Sequence, residues 1–285
     1  MVAYLDGQPS EKLRRLQQVQ QDLAVQLTDY CRKRDLQPFL VAGSALGAWR
    51  DGGIIAWDDD IDIGLLREDY DTLIEALAND PIPGVTLQSW RTTPGYPFAF
   101  AKLRLDGTRV DESTALGPQF HQGIFIDIFP FDALPRNPLW RKVQYGILLA
   151  CNLFMLSFSR EAAMNATSPL FRRLRLAALA IRPLVPMRAL AAMSGWAYRL
   201  PPAAKSDTCV SFNMYGIRFA WKTRIARAAL VPPQLVPFGS TQLPVPADCH
   251  AYLTGIFGDY AKRPPSNSQR PGHIRDVDFG DRADR

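Results

Sequence analysis

Cysteine and histidine are scarce in this chain of 285 residues, and neither occurs at metal-ligand spacing. The four cysteines, Cys31, Cys151, Cys209 and Cys249, form no close pair that would clip a zinc ion. They read as buried thiols of a reducing compartment, not as a disulfide framework. His121 and His250 have no partner spacing and read as surface or structural residues. No internal repeat and no low-complexity tract is visible. Long apolar runs are rare. The uncharged stretch Val143 to Ser159 is 17 residues long and includes Gln144, Gly146 and Asn152. That is the lower limit for a spanning helix, so a buried or interfacial helix is expected. The N-terminal segment is polar and charged, which argues against a cleavable export signal and for a cytoplasmic protein. Acidic residues nearly vanish from one long segment. Between Ala133 and Ser206, eleven Lys and Arg face a single acid, Glu161, giving +10 there and −5 over the rest, against +5 for the whole chain.

Hydrophobic content of 47% with 21% charged residues predicts a folded chain with a sizeable core, one large domain or two small ones. Ser10 is placed to cap a helix in which Leu13, Leu16, Val19, Leu23, Leu27 and Tyr30 recur at helical spacing up to Arg34. Phe39 to Ala42 reads as a short buried strand, and Ala45 to Trp49 as a short helix capped by Ser44. Strands are expected over Asp60 to Leu65, Val85 to Trp90, Phe98 to Leu105 and Ile124 to Phe129. A helix is expected over Arg67 to Ala78. Leu139 to Leu200 is helical by pattern. Val210 to Tyr215 and Arg218 to Trp221 suggest a hairpin. Val231 to Pro246, rich in proline, reads as extended coil, and the chain from Lys262 onward as a mobile polar tail.

The chemistry concentrates between Gly43 and Ile63. Gly43-Ser44 is a small-residue turn whose N–H groups and hydroxyl suit an anion. Asp58-Asp59-Asp60-Ile61-Asp62 puts four carboxylates into five positions. On a strand, Asp60 and Asp62 share a face. Two ionised carboxylates about 5 Å apart repel by roughly 3 kcal/mol at an effective dielectric near 20. A divalent cation turns that repulsion into attraction, and hard oxygen ligands suit Mg²⁺ or Mn²⁺. The competing reading is a solvated acidic turn. An apolar strand following at once, with a Gly-Ser turn before it, weighs against that. A Gly-Ser turn followed by Asp-x-Asp on the next strand resembles the layout of polymerase-β-type nucleotidyltransferases, in which the turn holds phosphates and the carboxylates hold metal.

The resemblance extends further. Gly43 to Arg50, Gly52 to Gly64, Arg67-Glu68-Asp69-Tyr70, Phe125 to Pro130, Tyr252-Leu253 and Phe257 to Tyr260 resemble the signature of the LicD family. That family includes bacterial phosphocholine transferases and is similar to fukutin-type ribitol-phosphate transferases. Asp51 stands where a His is common, and Ala56 where a Pro is common. The resemblance implies an α+β fold: a polymerase-β-like nucleotidyltransferase core, a small mixed sheet flanked by helices, carrying an added basic helical subdomain. The expected division is a catalytic core over 1–135, a basic helical insertion over 136–205, and a C-terminal segment over 206–285 that packs back on the core and ends in the mobile tail.

Asp127 sits inside the apolar run Ile124 to Phe129, where an isolated carboxylate is costly unless paired or metal-bound. With the resemblance it reads as the third catalytic and metal-holding carboxylate beside Asp60 and Asp62. An ion pair with Lys or Arg is the other reading. Gly43, Ser44 and Arg50 are expected to hold donor phosphates. Lys102 and Arg104 share a strand face from which one reaches phosphate, or else they form a solvated edge. Trp57 either stacks on the donor, by cation–π attraction to a choline, or supports the acidic loop. Arg270 and His273 either touch substrate or fall in a disordered tail, the second being favoured.

The expected activity is a Mg²⁺- or Mn²⁺-dependent transfer of a phospho-alcohol from a CDP-activated donor such as CDP-choline to a hydroxyl of a cell-surface glycan or lipopolysaccharide. The alternatives are nucleotidyl transfer, or a non-catalytic glycan- or membrane-binding protein of the same fold. The basic segment around Arg172, Arg173 and Arg175 suits an anionic membrane surface, or else a helical subdomain with its arginines in water. It lacks the aromatic platforms expected of a nucleic-acid partner.

Overall fold

The computed structural model describes residues 1–5, 7–113, 116–157, 163–164, 168–200, 206–214 and 223–280. In chain order the elements begin with a two-stranded ribbon, β1 (Tyr4–Leu5) and β2 (Gln8–Pro9), and helix α1 (Glu11–Arg32). The Ser10 hydroxyl accepts the Leu13 N–H and so caps α1 as its sequence predicts. Next come β3 (Phe39–Leu40) and α2 (Ala42–Leu46), which continues into a π-helical turn over Gly47–Asp51. β4 (Asp62–Leu66), α3 (Arg67–Asn79), β5 (Val85–Gln88), β6 (Ala101–Leu105), β7 (Arg109–Glu112) and β8 (Phe125–Ala133) follow. The basic segment contains α4 (Pro138–Met155), α5 (Pro169–Ile181) and α6 (Met187–Tyr198). The remainder is β9 (Thr208–Val210), β10 (Ile225–Ala226), α7 (Arg227–Leu230), β11 (Gln234–Phe238), β12 (Thr241–Val245), α8 (Cys249–Phe257) and β13 (Ile274–Asp278).

The chain divides into two compact units. One comprises residues 1–88, 101–130 and 225–285, the other 89–100 and 131–224. These limits differ from a division at 135 and 205, because residues 89–100 and the segment after 205 join the helical unit.

The first unit has an α+β architecture: a mixed sheet with strand order β3-β4-β8-β6-β5, flanked by helices. β8 is the hub. It is buried along its whole length and pairs antiparallel with β6, Lys102 lying opposite Asp127. On its other side the Asp127 N–H donates to Ile61 O at 2.9 Å. Leu13, Leu16, Leu23, Ala24 and Leu27 of α1 are buried, as are Tyr70, Leu73, Ile74 and Leu77 of α3. Each such leucine or isoleucine contributes about 1.5–3 kcal/mol by leaving water.

Several local expectations are corrected. Ser44 is not a cap; it lies inside α2, which begins at Ala42. The strand expected from Asp60 begins at Asp62, so the first acids sit on an irregular approach. The proline-rich stretch is no coil: β11 and β12 form an antiparallel hairpin around Gly239, with Phe238, Leu243 and Val245 buried. A two-stranded ribbon has two free edges, so Pro237 and Pro244 forfeit no ladder hydrogen bond it needs. The tail is not free either. β13 pairs antiparallel with β7, burying Ile274 and Val277. The hairpin expected after Val210 falls largely on residues 215–222, outside the described residues.

The second unit packs α4, α5, α6 and β9 around Tyr145, Leu148, Cys151, Met155, Leu190, Tyr198 and Phe212. All four cysteines are free and buried. No single helix among the described residues is long and apolar enough to cross a membrane.

Candidate active site

The acidic loop is held by polar groups from distant parts of the chain. Two glutamines one helical turn apart on α1 grip its backbone. The Gln17 amide donates to Ile55 O at 3.2 Å and Asp58 O at 2.8 Å, and the Gln20 amide to Asp59 O at 2.9 Å. α2 grips it from the other end. The Ser44 hydroxyl accepts the Asp62 N–H at 2.9 Å, and the Val41 N–H donates to Asp62 O at 3.0 Å. Ala42 adopts a left-handed φ of 46°, a strained choice for a residue with a Cβ, and its N–H is satisfied by the Tyr252 hydroxyl of α8. A Cβ on Gly43 would lie 2.7 Å from Asp58 Oδ2. Glycine at 43 thus lets a carboxylate approach the α2 backbone.

The four acids of the loop have different tasks. Asp59 is wholly buried and accepts three backbone N–H groups of the tail: Gly272 at 3.3 Å, His273 at 2.8 Å and Ile274 at 2.6 Å. It straps the tail to the loop. The strap carries His273 to within 3.5 Å of Asp60 Oδ2. Asp58 and Asp60 are hydrogen-bonded to each other. Burial pushes the Asp60 carboxyl up to about 6; His273 and Lys102 oppose this, and Asp127 and Asp59 reinforce it. Burial and the charge of Asp60 hold both Asp62 and Asp58 well above the usual carboxylate range, Asp127 adding to the effect on Asp62. Asp127 is raised by burial against the pull of Lys102. Ionised together, these carboxylates are short of positive charge.

Lys102 is the buried cation of the cluster. Its Nζ lies 2.8 Å from Asp127 Oδ1, 3.5 Å from Glu112 Oε2 and 3.4 Å from the centre of the Phe125 ring. Arg104, also buried, donates to Glu112 at 2.6 Å, to Gln88 at 2.6 Å and to Gly123 O at 2.9 Å. Lys102 and Arg104 therefore form no solvated edge. The pair holds Glu112 below the usual range although burial acts the other way. Arg50 binds Asp51 through two hydrogen bonds, 3.0 and 2.8 Å, and donates to Tyr260 O at 3.3 Å. Arg263 adds a second cation to Asp51 at 3.0 Å. Trp57 packs edge-on against Tyr4, with centroids 5.8 Å apart.

The structure therefore gathers Asp60, Asp62, Asp127 and Lys102 into one electrostatic cluster and sets Gly43 and Ser44 against it. Sequence reasoning missed Asp59 as the strap's anchor, Gln17, Gln20 and Glu112, and it favoured a disordered tail for His273, which the structure places beside Asp60. The tail's alternating apolar residues, Ile274 and Val277 with a bulge between them, were the one available signal for β13. Asp59, Asp60 and His273 each present a possible metal-ligand atom, and these atoms lie within 4.8 Å of one another. Asp59 already serves three N–H groups, so Asp60 and His273 are the freer of the three.

Comparison with known proteins agrees with the signature. Residues 35–145 match the family described as LicD/FKTN/FKRP, nucleotidyltransferase domain. The chain is 24% identical over 267 residues to the lipopolysaccharide cholinephosphotransferase LicD of Haemophilus influenzae, covering 90% of this chain and 96% of that protein. Both findings support membership of the LicD family.

Proposed function

We propose that this protein transfers a phospho-alcohol, phosphocholine in the first instance, from a CDP-activated donor to a hydroxyl of lipopolysaccharide or a related cell-surface glycan, using a nucleotidyltransferase-type core. The observation that carries this reading is the carboxylate cluster of half-buried Asp58, Asp60 and Asp62 with buried Asp127. It is short of positive charge and is built against Gly43 and Ser44 of α2, in a chain similar to a cholinephosphotransferase.

The donor set fits a hard dication: carboxylate oxygens dominate it, and their raised affinity for protons marks a place where added positive charge is favoured. Asp60, Asp62 and Asp127 would hold Mg²⁺ or Mn²⁺. Such an ion, when bound, neutralises charge on a pyrophosphate and on the departing nucleotide. The chain's own groups do the rest. Gly43 and Ser44 set the turn against which the donor phosphates lie, with Arg50 beside it. In the transfer, an acceptor oxygen forms a bond to the distal phosphorus. The bond from that phosphorus to the bridging oxygen breaks, and CMP leaves with the electron pair. Asp127, whose proton affinity burial raises, takes the acceptor proton, and Lys102 balances its charge before transfer. Positioning and electrostatic complementarity supply most of the acceleration.

The test is release of free CMP by purified protein with Mg²⁺, across CDP-choline, CDP-ribitol, CDP-glycerol and CDP-ethanolamine, with a glycan acceptor extract present. Asp62→Asn is expected to cut turnover about a thousandfold or more while leaving the circular dichroism spectrum unchanged. Near wild-type turnover in that variant removes the proposed role of Asp62. A product heavier by a whole nucleotide would replace phospho-alcohol transfer with nucleotidyl transfer.

A further inference from the structure

The helical unit carries its apolar surface on the outside. Ten of the fourteen large hydrophobic side chains that stand exposed among the described residues lie between Leu139 and Trp196. On α5 they follow helical spacing. Leu170, Leu174, Ala177 and Ile181 fall on one exposed face, and Leu184, 84% exposed, continues it past the helix end. Away from that face, Ala178 is buried and Phe171, Arg175, Leu176 and Leu179 are half-buried, and Arg182, just past the helix end, donates to Ser157 O at 3.4 Å. α5 thus carries apolar residues on its outer side as well as its inner one, unlike a helix whose outer side meets water. Arg173 borders the exposed apolar face, and Arg172, also exposed, lies on the far side of the helix from it. On α6, Met193 and Trp196 are exposed in the same way.

We infer that the outer face of α5, with Met193 and Trp196 of α6, docks on an anionic lipid bilayer, the leucines entering the headgroup boundary and Arg173 at their margin meeting lipid phosphates. Two observations select this occupant. The segment from Ala133 to Ser206 is +10, so a second copy of the chain would set like charge against like, whereas an anionic surface complements it. The face also mixes aliphatic residues and a tryptophan with an arginine at its margin, the composition of an interfacial helix. No described helix is long and apolar enough to cross the bilayer, so docking is peripheral. The inference stands on the helical unit alone and does not depend on the transferase reading.

Co-sedimentation of the full chain with vesicles of neutral phosphatidylcholine, or of phosphatidylcholine mixed with phosphatidylglycerol, tests it. The wild type is expected to pellet with the mixed vesicles and to remain in solution with the neutral ones. Arg172→Gln with Arg173→Gln is expected to weaken partitioning about five- to thirtyfold, at about 1 kcal/mol for Arg173 beside the anionic surface and at most as much again for Arg172 on the far side of the helix. Leu174→Gln with Leu184→Gln is expected to abolish the salt-resistant part of the binding. All four positions are exposed, so the melting temperature of each variant should stay at that of the wild type, and CMP release can be followed in the same samples. Failure of the wild type to bind mixed vesicles, or full binding by both double variants, overturns the inference. So does a concentration-dependent dimer that Leu174→Gln with Leu184→Gln dissociates while vesicle binding is unchanged. Vesicle binding without CMP release would leave docking standing and remove the transferase reading.

Discussion

Replacing Asp60 by Asn should make the metal-free protein more stable. Asp60 lies among Asp58, Asp62 and Asp127, and its carboxyl is pushed from 3.8 up to about 6, chiefly by burial. At 1.36 kcal/mol per pH unit, ionising it inside the fold costs about 3 kcal/mol. The sign follows from proton linkage. Between pH 4 and 6 the native chain holds a proton that the unfolded chain has released, so stability falls as pH rises through that window. Above pH 6 the whole cost is present. Asp58, Asp62 and Asp127 are raised too and steepen the fall. Asp60→Asn keeps the shape and the hydrogen bond to Asp58 but removes one charge. Urea unfolding at pH 7.5 without divalent ions should give a gain of about 1–3 kcal/mol, the lower end applying if neighbouring acids take up the proton instead. The slope of stability between pH 4 and 7 should flatten. Millimolar Mg²⁺ should raise the melting temperature of the wild type and leave that of the variant nearly unmoved. A variant less stable than wild type at pH 7.5, with its pH slope intact, would refute the reasoning. It would mean that His273 and Lys102 already satisfy the Asp60 charge.

Two further substitutions probe the loop's supports. Asp59→Ala removes the acceptor of three backbone N–H groups and should cost about 3–6 kcal/mol, the two close ones, from His273 and Ile274, each counting roughly 1.5–3 kcal/mol as hydrogen bonds to a charged group. The loss should centre on the tail, so amide exchange at Val277 and Val110 should speed up before exchange in α1 does; unchanged protection there would deny Asp59 its anchoring role. Gly43→Ala puts a Cβ against Asp58 Oδ2, the mobile end of a side chain. Stability should fall by about 1 kcal/mol or less, because an overpacked carboxylate can swing aside, while CMP release should drop at least tenfold. Full activity in that variant would show that the position of Asp58 does not matter to turnover.

The site was legible in the sequence where its chemistry is local. Asp60, Asp62 and the Gly43-Ser44 turn lie within 20 residues, and four acids in five positions cannot be hidden by context. Asp127 was legible because a carboxylate in the run Ile124 to Phe129 contradicts its surroundings. α1 declared itself through periodicity and its Ser10 cap. What failed was non-local. Nothing near His273 signals that Asp59, 214 positions earlier, accepts its N–H. β7 and β13 are short and half polar, and each becomes a strand only by pairing with the other. The proline count of the β11–β12 hairpin hid an alternation that a two-stranded ribbon tolerates. Ser44 has the hydroxyl of a capping residue, yet it serves the N–H of Asp62, because the chain had already turned into α2 at Ala42.

The two readings of Asp127, ion pair or third catalytic acid, were never exclusive. Lys102 touches Asp127, but it also lies beside Glu112, which Arg104 shares. Taken as a chain of charges, Asp127, Lys102, Glu112 and Arg104 balance among themselves. They leave Asp58, Asp60 and Asp62 short of positive charge, with the His273 ring 3.5 Å from Asp60 and only the shared charge of Lys102 opposing their burial. A nucleotide diphosphate approaching the Gly43-Ser44 turn would add negative charge to a place already rich in it. Protons or a dication can correct that, and at neutral pH protons bind only weakly to a carboxyl near 6. The positive charge at position 50 is preserved despite the aspartate at position 51. Arg50 and Arg263 both hold Asp51, so the three groups together carry one net positive charge, as a lone cation would. Burial raises Asp51, but the two arginines outweigh it and keep its carboxyl below the usual range. It therefore stays ionised at neutral pH, and the net positive charge around Asp51 depends on Arg263 as well as on Arg50.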